Sequence, residues 1–215
     1  MTLLSASVAG TALADPARLI SFVEVRSDRA DQAVADLRRY AHSLGEGVPQ
    51  ARIELLRELG RPERFVLLES ADDLQALTQA EGRSRALLDA LTAQLAAPSD
   101  RRSHREFGTA AAPVAVPQRT ALCAITHLDI GGPVRPLAEE ALGRFAAAAR
   151  GSPGNLGFEV WQQLDRGNHF NIVAVWSDRA SLDAFAASPE AREFRASVAP
   201  LIGSPYDERL YRREP

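Results

Sequence analysis

The chain has 215 residues, 46% apolar and 25% charged, the make-up of a folded globular protein with room for two compact units. Its net charge of −3 offers no cationic footprint for nucleic acid, and no stretch reaches the ~20 apolar residues of a membrane span. All 25 basic residues are arginine, which excludes lysine Schiff-base chemistry and Walker-type phosphate loops, and Cys123, the single cysteine, excludes an internal disulfide; a reducing, cytoplasmic setting fits.

Residues 1–18 read as an arm. Thr2 to Ala14 is mildly apolar and ends in Ala12-Leu13-Ala14, the small-residue shape of a signal-peptidase site, but no basic residue precedes it, so the segment reads as loosely packed or as the relic of a longer leader. Hydrophobic period then predicts a strand from Leu19 to Val25, a helix from Asp28 to Leu44, strands Arg52 to Leu59 and Phe65 to Ser70, a helical region Ala71 to Ala96, and a strand Arg101 to Phe107. Gly60-Arg61-Pro62 supplies the turn between the middle strands. Residues 108–118, rich in Ala, Pro and Gly, read as a linker between one unit at 19–107 and a second at 119–215.

The second unit repeats the first. Ile20 pairs with Ile125, Leu37 with Leu142, Leu59 with Leu164 and Phe65 with Phe170, all at an offset of 105, and Pro98 pairs with Pro205 at 107. Its predicted elements are Ala121 to Ile130, Val134 to Ala149, Leu156 to Leu164, Phe170 to Trp176, a helical region Arg179 to Leu201, and Asp207 to Arg212. The βαββαβ order is ferredoxin-like: an antiparallel sheet with both helices on one face, in the α+β class. Both faces of the strand Phe170 to Trp176 are apolar apart from Asn171, and helices cover only one. The sheet of the other copy is the nearest cover, so the two units are expected to close as an intramolecular pseudo-dimer. The charged fourth strand of the first unit, Arg101-Arg102-Ser103-His104-Arg105-Glu106, reads as a solvated edge; such edges could also pair two chains.

The run Phe170-Asn171-Ile172-Val173-Ala174-Val175-Trp176-Ser177-Asp178-Arg179-Ala180-Ser181-Leu182-Asp183-Ala184-Phe185, with Ser188-Pro189 and Phe194 after it, closely resembles the second half of antibiotic biosynthesis monooxygenase (ABM) domains. Glu24-Val25-Arg26 and Arg61-Pro62-Glu63-Arg64-Phe65-Val66-Leu67-Leu68-Glu69 make the first unit similar to a diverged member that lacks the tryptophan. The resemblance implies a pseudo-dimeric α+β barrel. Family members include cofactor-free oxygenases of quinols and polycyclic aromatics, which bind substrate in an apolar cavity between sheet and helices, and haem-degrading enzymes. It thus implies a small aromatic, quinone-like or polyketide-like ligand and no cofactor. Such chemistry needs an apolar pocket, a polar group to deprotonate a hydroxyl, and exclusion of water.

Three residues are candidates for catalysis. Trp176 matches the family's recurrent tryptophan and either lines the pocket or caps the core; His127, among apolar neighbours, either accepts a substrate proton or is a hydrogen-bonded core histidine; Asn171 either orients a substrate oxygen or satisfies a bulge. Phe158, Phe170, Phe185, Phe194 and Tyr211 are expected to line the substrate pocket. Trp161 is expected to pack toward the other sheet, and Asn168 and His169 to serve the turn before their strand. Glu69 stands where the second unit has Ala174, so the first unit is expected to be a scaffold and the second to hold the pocket, bounded by His127 and Trp176. No metal site is expected, because no two of the four histidines lie three or four residues apart. Haem degradation finds less support: the family's asparagine and histidine align with Thr126 and Arg195. A non-catalytic ligand-binding or interaction module on the same fold remains the alternative.

Overall fold

The structure, a computed structural model, describes residues 17–48, 51–71, 74–83, 85–108, 115–116 and 120–214; the N-terminal arm up to residue 16 and most of the expected linker lie outside them. The first repeat consists of β1 (Ala17–Glu24), α1 (Ala30–Gly47), β2 (Arg52–Glu58), β3 (Arg64–Ala71), α2 (Leu74–Arg83), α3 (Arg85–Thr92) and β4 (Asp100–Glu106). The second consists of β5 (Leu122–Asp129), α4 (Arg135–Arg150), β6 (Asn155–Gln163), β7 (His169–Trp176), α5 (Arg179–Ala186), α6 (Pro189–Val198) and β8 (Asp207–Arg213). Each expected helical region after the hairpin is two helices. Its break in the second repeat follows from Ser188-Pro189, where proline takes the first helical position and the Ser188 hydroxyl accepts from Ala191 N at 3.1 Å.

All eight strands form one closed antiparallel barrel in the order β1-β3-β2-β8-β5-β7-β6-β4. The repeats join edge to edge: β2 pairs with β8 through Arg57↔Arg212, and β4 pairs with β6 through Arg105↔Gln162. This refines the expected face-to-face cover, because each half-barrel curls so that its inner face meets the other across a shared lumen. It also overturns the reading of β4 as an edge: β4 is hydrogen-bonded on both sides, to β1 and β6.

Three cores follow from strand alternation. In β7, Phe170, Ile172, Ala174 and Trp176 meet α4, α5 and α6, while Val173 and Val175 face the lumen. In the first repeat, Leu19, Val23, Leu55, Phe65 and Leu67 pack on the buried stripe of α1, formed by Ala33, Leu37, Tyr40 and Leu44. The middle of the lumen is filled by Ile20, Leu56, Val66, Leu68, Cys123, Ile125, Trp161, Val175 and Tyr211, so both faces of each sheet are dry. Trp161 therefore packs toward the other repeat, as its place in the strand predicts.

Candidate functional site

The lumen carries polar groups that only alternation could place there. Trp161 Nε1 donates to Glu159 Oε2 at 2.8 Å, and Arg18 reaches Glu106 at 3.3 Å and Glu159 at 3.5 Å. Asn171, fully buried, lies 2.8 Å from His104 Nε2 through its Nδ2, and His169 Nδ1 lies 3.4 Å from His127 Nε2. His169 also meets Asp129 at 3.3 Å. Burial drives His104 down to about 4; burial and then the Arg102 charge lower His127, so both rings are neutral near pH 7. Among the described residues no group of His, Cys, Asp or Glu is placed to hold a metal ion.

His127 and Asn171 thus share the lumen, as their cross-strand pairing requires. Trp176 is on the opposite face of the same sheet. It pairs with Leu122, an odd number of residues along β7 from Asn171 and so on the other side, and stacks on Phe185 with centroids 5.0 Å apart. A cavity bounded by both His127 and Trp176 is therefore excluded by strand geometry. Of the expected pocket residues, Phe158, Phe170, Phe185 and Phe194 come together in the core under the helices, whereas Tyr211 points into the lumen. His169 is no mere turn residue, since it opens β7 and joins the histidine cluster; Asn168 does serve the turn, donating to Ile130 O at 2.8 Å.

Under the helices of the second repeat the rings stack on one another, and a groove of about 160 Å³ lies between α4 and α6, lined by Phe145, Phe194, Arg144 and Glu193. Phe145 stacks on Phe194 at 4.0 Å and on Phe185 at 5.3 Å, and meets Phe158 edge-on at 5.5 Å. The equivalent space in the first repeat is open. A cavity of about 150 Å³ lies between the sheet and α1 and α3, walled by Val23, Leu37, Leu67, Leu88 and Leu91. The pocket between sheet and helices is thus in the repeat expected to be a scaffold. The difference is one of side-chain volume: where the second repeat stacks Phe145, Phe185 and Phe194, the first has a wall of Leu37, Leu88 and Leu91.

One wall of this cavity is polar. Ser21, Tyr40, Glu81 and Arg101 line it, and Glu69 sits behind them, 1% exposed. Arg101 donates to Glu69 Oε2 at 3.0 Å and also bonds Glu81, while Ser21 Oγ donates to Glu69 Oε1 at 3.4 Å. Burial raises the Glu69 carboxyl despite opposition from Arg101 and Ser21. Burial, then the Glu69 charge, pushes the Tyr40 phenol up to about 12. Sequence reading noted that Glu69 departs from Ala174 but missed its partners, because Ser21 and Arg101 reach it from β1 and β4, and Arg101 in turn bonds Glu81 of α2.

Residues 130–197 match the family model of antibiotic biosynthesis monooxygenase. No curated protein matches the sequence. Among solved structures, a candidate monooxygenase from Fusobacterium nucleatum superposes with a TM-score of 0.78 at 10% identity, covering 93% of each chain. A candidate monooxygenase from Lactobacillus acidophilus gives 0.71 at 12% identity over 93% of this chain and 94% of the other. An anthrone oxidase-like protein gives 0.71 at 12% identity over 94% and 92%. The likeness to these structures is one of fold along nearly the whole chain, and the sequence match to the family model lies within the second repeat.

Proposed function

We propose that the chain is a cofactor-independent monooxygenase of a single-ring quinol, bound in the cavity between the first repeat's sheet and helices. The observation that carries this reading is an apolar cavity of about 150 Å³ with one charged wall formed by Ser21, Arg101 and Glu81. A cavity of about this size accommodates a benzene ring, and a tricyclic anthrone is too large for it without rearrangement. A quinol hydroxyl facing the polar wall can pass its proton to Glu81, or through the Ser21 hydroxyl to Glu69, while Arg101 holds the resulting phenolate. The leucine wall keeps water from the electron-rich ring as it meets oxygen. The reaction balances as quinol plus O₂ giving hydroxyquinone plus water: one oxygen atom enters the ring, the other leaves as water, and the quinol supplies all four electrons.

Oxygen-electrode assays with substituted hydroquinones and anthrones test this. Uptake with the hydroquinones, a hydroxyquinone absorbance, and loss of both in Leu91→Trp, which fills the cavity, are expected. No uptake above the blank across the panel would sink the reading and favour the rival, a non-catalytic binding module, which the packed rings of the second repeat already suit.

A further inference from the structure

The order of strands around the barrel shows that β1-β3-β2-β8 returns as β5-β7-β6-β4 in the same sense. The two repeats are therefore related by a half-turn about the barrel axis, and the lumen lies on that pseudo-twofold. At one mouth, Phe22 pairs with Asp100 and Ile20 with Arg102; on the opposite wall His127 pairs with Asp207 and Ile125 with Arg209. An Asp-x-Arg pattern from each repeat thus meets its own copy across the axis, and the ring at the equivalent strand position is Phe22 on one side and His127 on the other.

Between these walls is a space of about 170 Å³ lined by residues of both repeats, with Phe22, Ile125 and Tyr211 as its apolar part. Each arginine is held by its own aspartate: Arg102 Nε to Asp100 Oδ1 at 3.0 Å, and Arg209 Nε to Asp207 Oδ1 at 3.1 Å. Two guanidiniums, two carboxylates and a neutral imidazole sum to no net charge, so an anion entering here gains from the arginines what it loses to the aspartates. A neutral hydroxyl loses nothing, because it can accept from guanidinium and donate to carboxylate at once. The two polar patches are alike, which suits a ligand whose two ends are alike. Buried His127 Nδ1 has no hydrogen-bond partner in the protein and is a further group awaiting one.

We propose that this mouth of the lumen is a second binding site, for a neutral single-ring compound with hydroxyls at opposite ends, a para-diphenol. It lies on the other face of the sheet from the cavity of the first repeat and stands whether or not that cavity is catalytic.

Crystals of the full chain soaked anaerobically in bromohydroquinone should show an anomalous bromine peak between Arg102 and Arg209; absence of a peak there overturns the proposal. In solution, calorimetric titration with hydroquinone in the Leu91→Trp background, where the helix-side cavity is filled, should give one site. Its affinity should fall at least tenfold in Arg102→Gln/Arg209→Gln, and unchanged affinity would overturn the assignment. Benzoate binding more tightly than hydroquinone would likewise overturn it in favour of an anion site. Oxygen uptake unaffected by the arginine changes but lost in Leu91→Trp separates this site from the catalytic reading.

Discussion

Replacing Arg101 with methionine removes the charge that holds Glu69 in the core. The Glu69 side chain is 1% exposed and that of Arg101 is 23% exposed, so the carboxylate is out of water while its partner is still partly reached by it. Removing one partner of a buried ion pair costs about 3–5 kcal/mol, and the partial exposure of Arg101 points to the lower end, about 3 kcal/mol. For a chain of this size that is a fall in Tm of roughly 6–12 °C. The penalty depends on pH with a definite sign. Burial already raises the Glu69 carboxyl above its unfolded value, and losing Arg101 raises it further. A carboxyl raised in the folded state contributes stability at pH below its unfolded pKa and loses it as pH rises through the folded one. Urea unfolding of Arg101→Met should therefore show a small deficit near about pH 4.5 and the full one near about pH 8. Glu69→Gln added to Arg101→Met should recover most of the loss. An equal deficit at both pH values, or no recovery in the double variant, would refute the reasoning.

Two further predictions rest on equally local features. His104 is held down to about 4 by burial from an ordinary 6.5, so its contribution is intact above about pH 6.5 and lost as pH falls toward 4. That gap is worth roughly 3 kcal/mol; urea midpoints between those pH values should fall less steeply in His104→Gln, and an unchanged slope would count against it. Gly60 and Gly154 both have positive φ, 83° and 77°, but a Cβ at Gly60 meets nothing within 4 Å while one at Gly154 overlaps the Ser181 side chain. Thermal melts should show Gly60→Ala costing about 1 kcal/mol and Gly154→Ala roughly 2–3 kcal/mol, and equal costs would refute the steric argument.

Much of the architecture was legible because it depends on local periodicity. Val173 and Val175, alternating with Ile172, Ala174 and Trp176, announced a strand covered on both faces, and the offset of 105 supplied the cover. The same alternation, carried one step further, separates His127 from Trp176, since one faces the lumen and the other the helices. What alternation alone could not show was which helix-side space is full. That depends on whether rings from α4, α5 and α6 interlock, as Phe145, Phe185 and Phe194 do, or leave a gap, as Leu37, Leu88 and Leu91 do. Nor could a charged β4 be told from a solvated edge before its second hydrogen-bonding partner was known.

By itself the amino-acid order determined two βαββαβ units, their covered sheet faces and a likeness to ABM domains, since strand and helix periods and a constant offset are properties of the chain read along its length. Tertiary structure alone decided that the sheets join through β2·β8 and β4·β6 into one lumen, and that Glu69 meets Arg101. It alone set two Asp-x-Arg patterns face to face across the pseudo-twofold. These are contacts between residues 32 to more than 100 positions apart, fixed by barrel closure and by the volumes of side chains that meet only once the chain has folded.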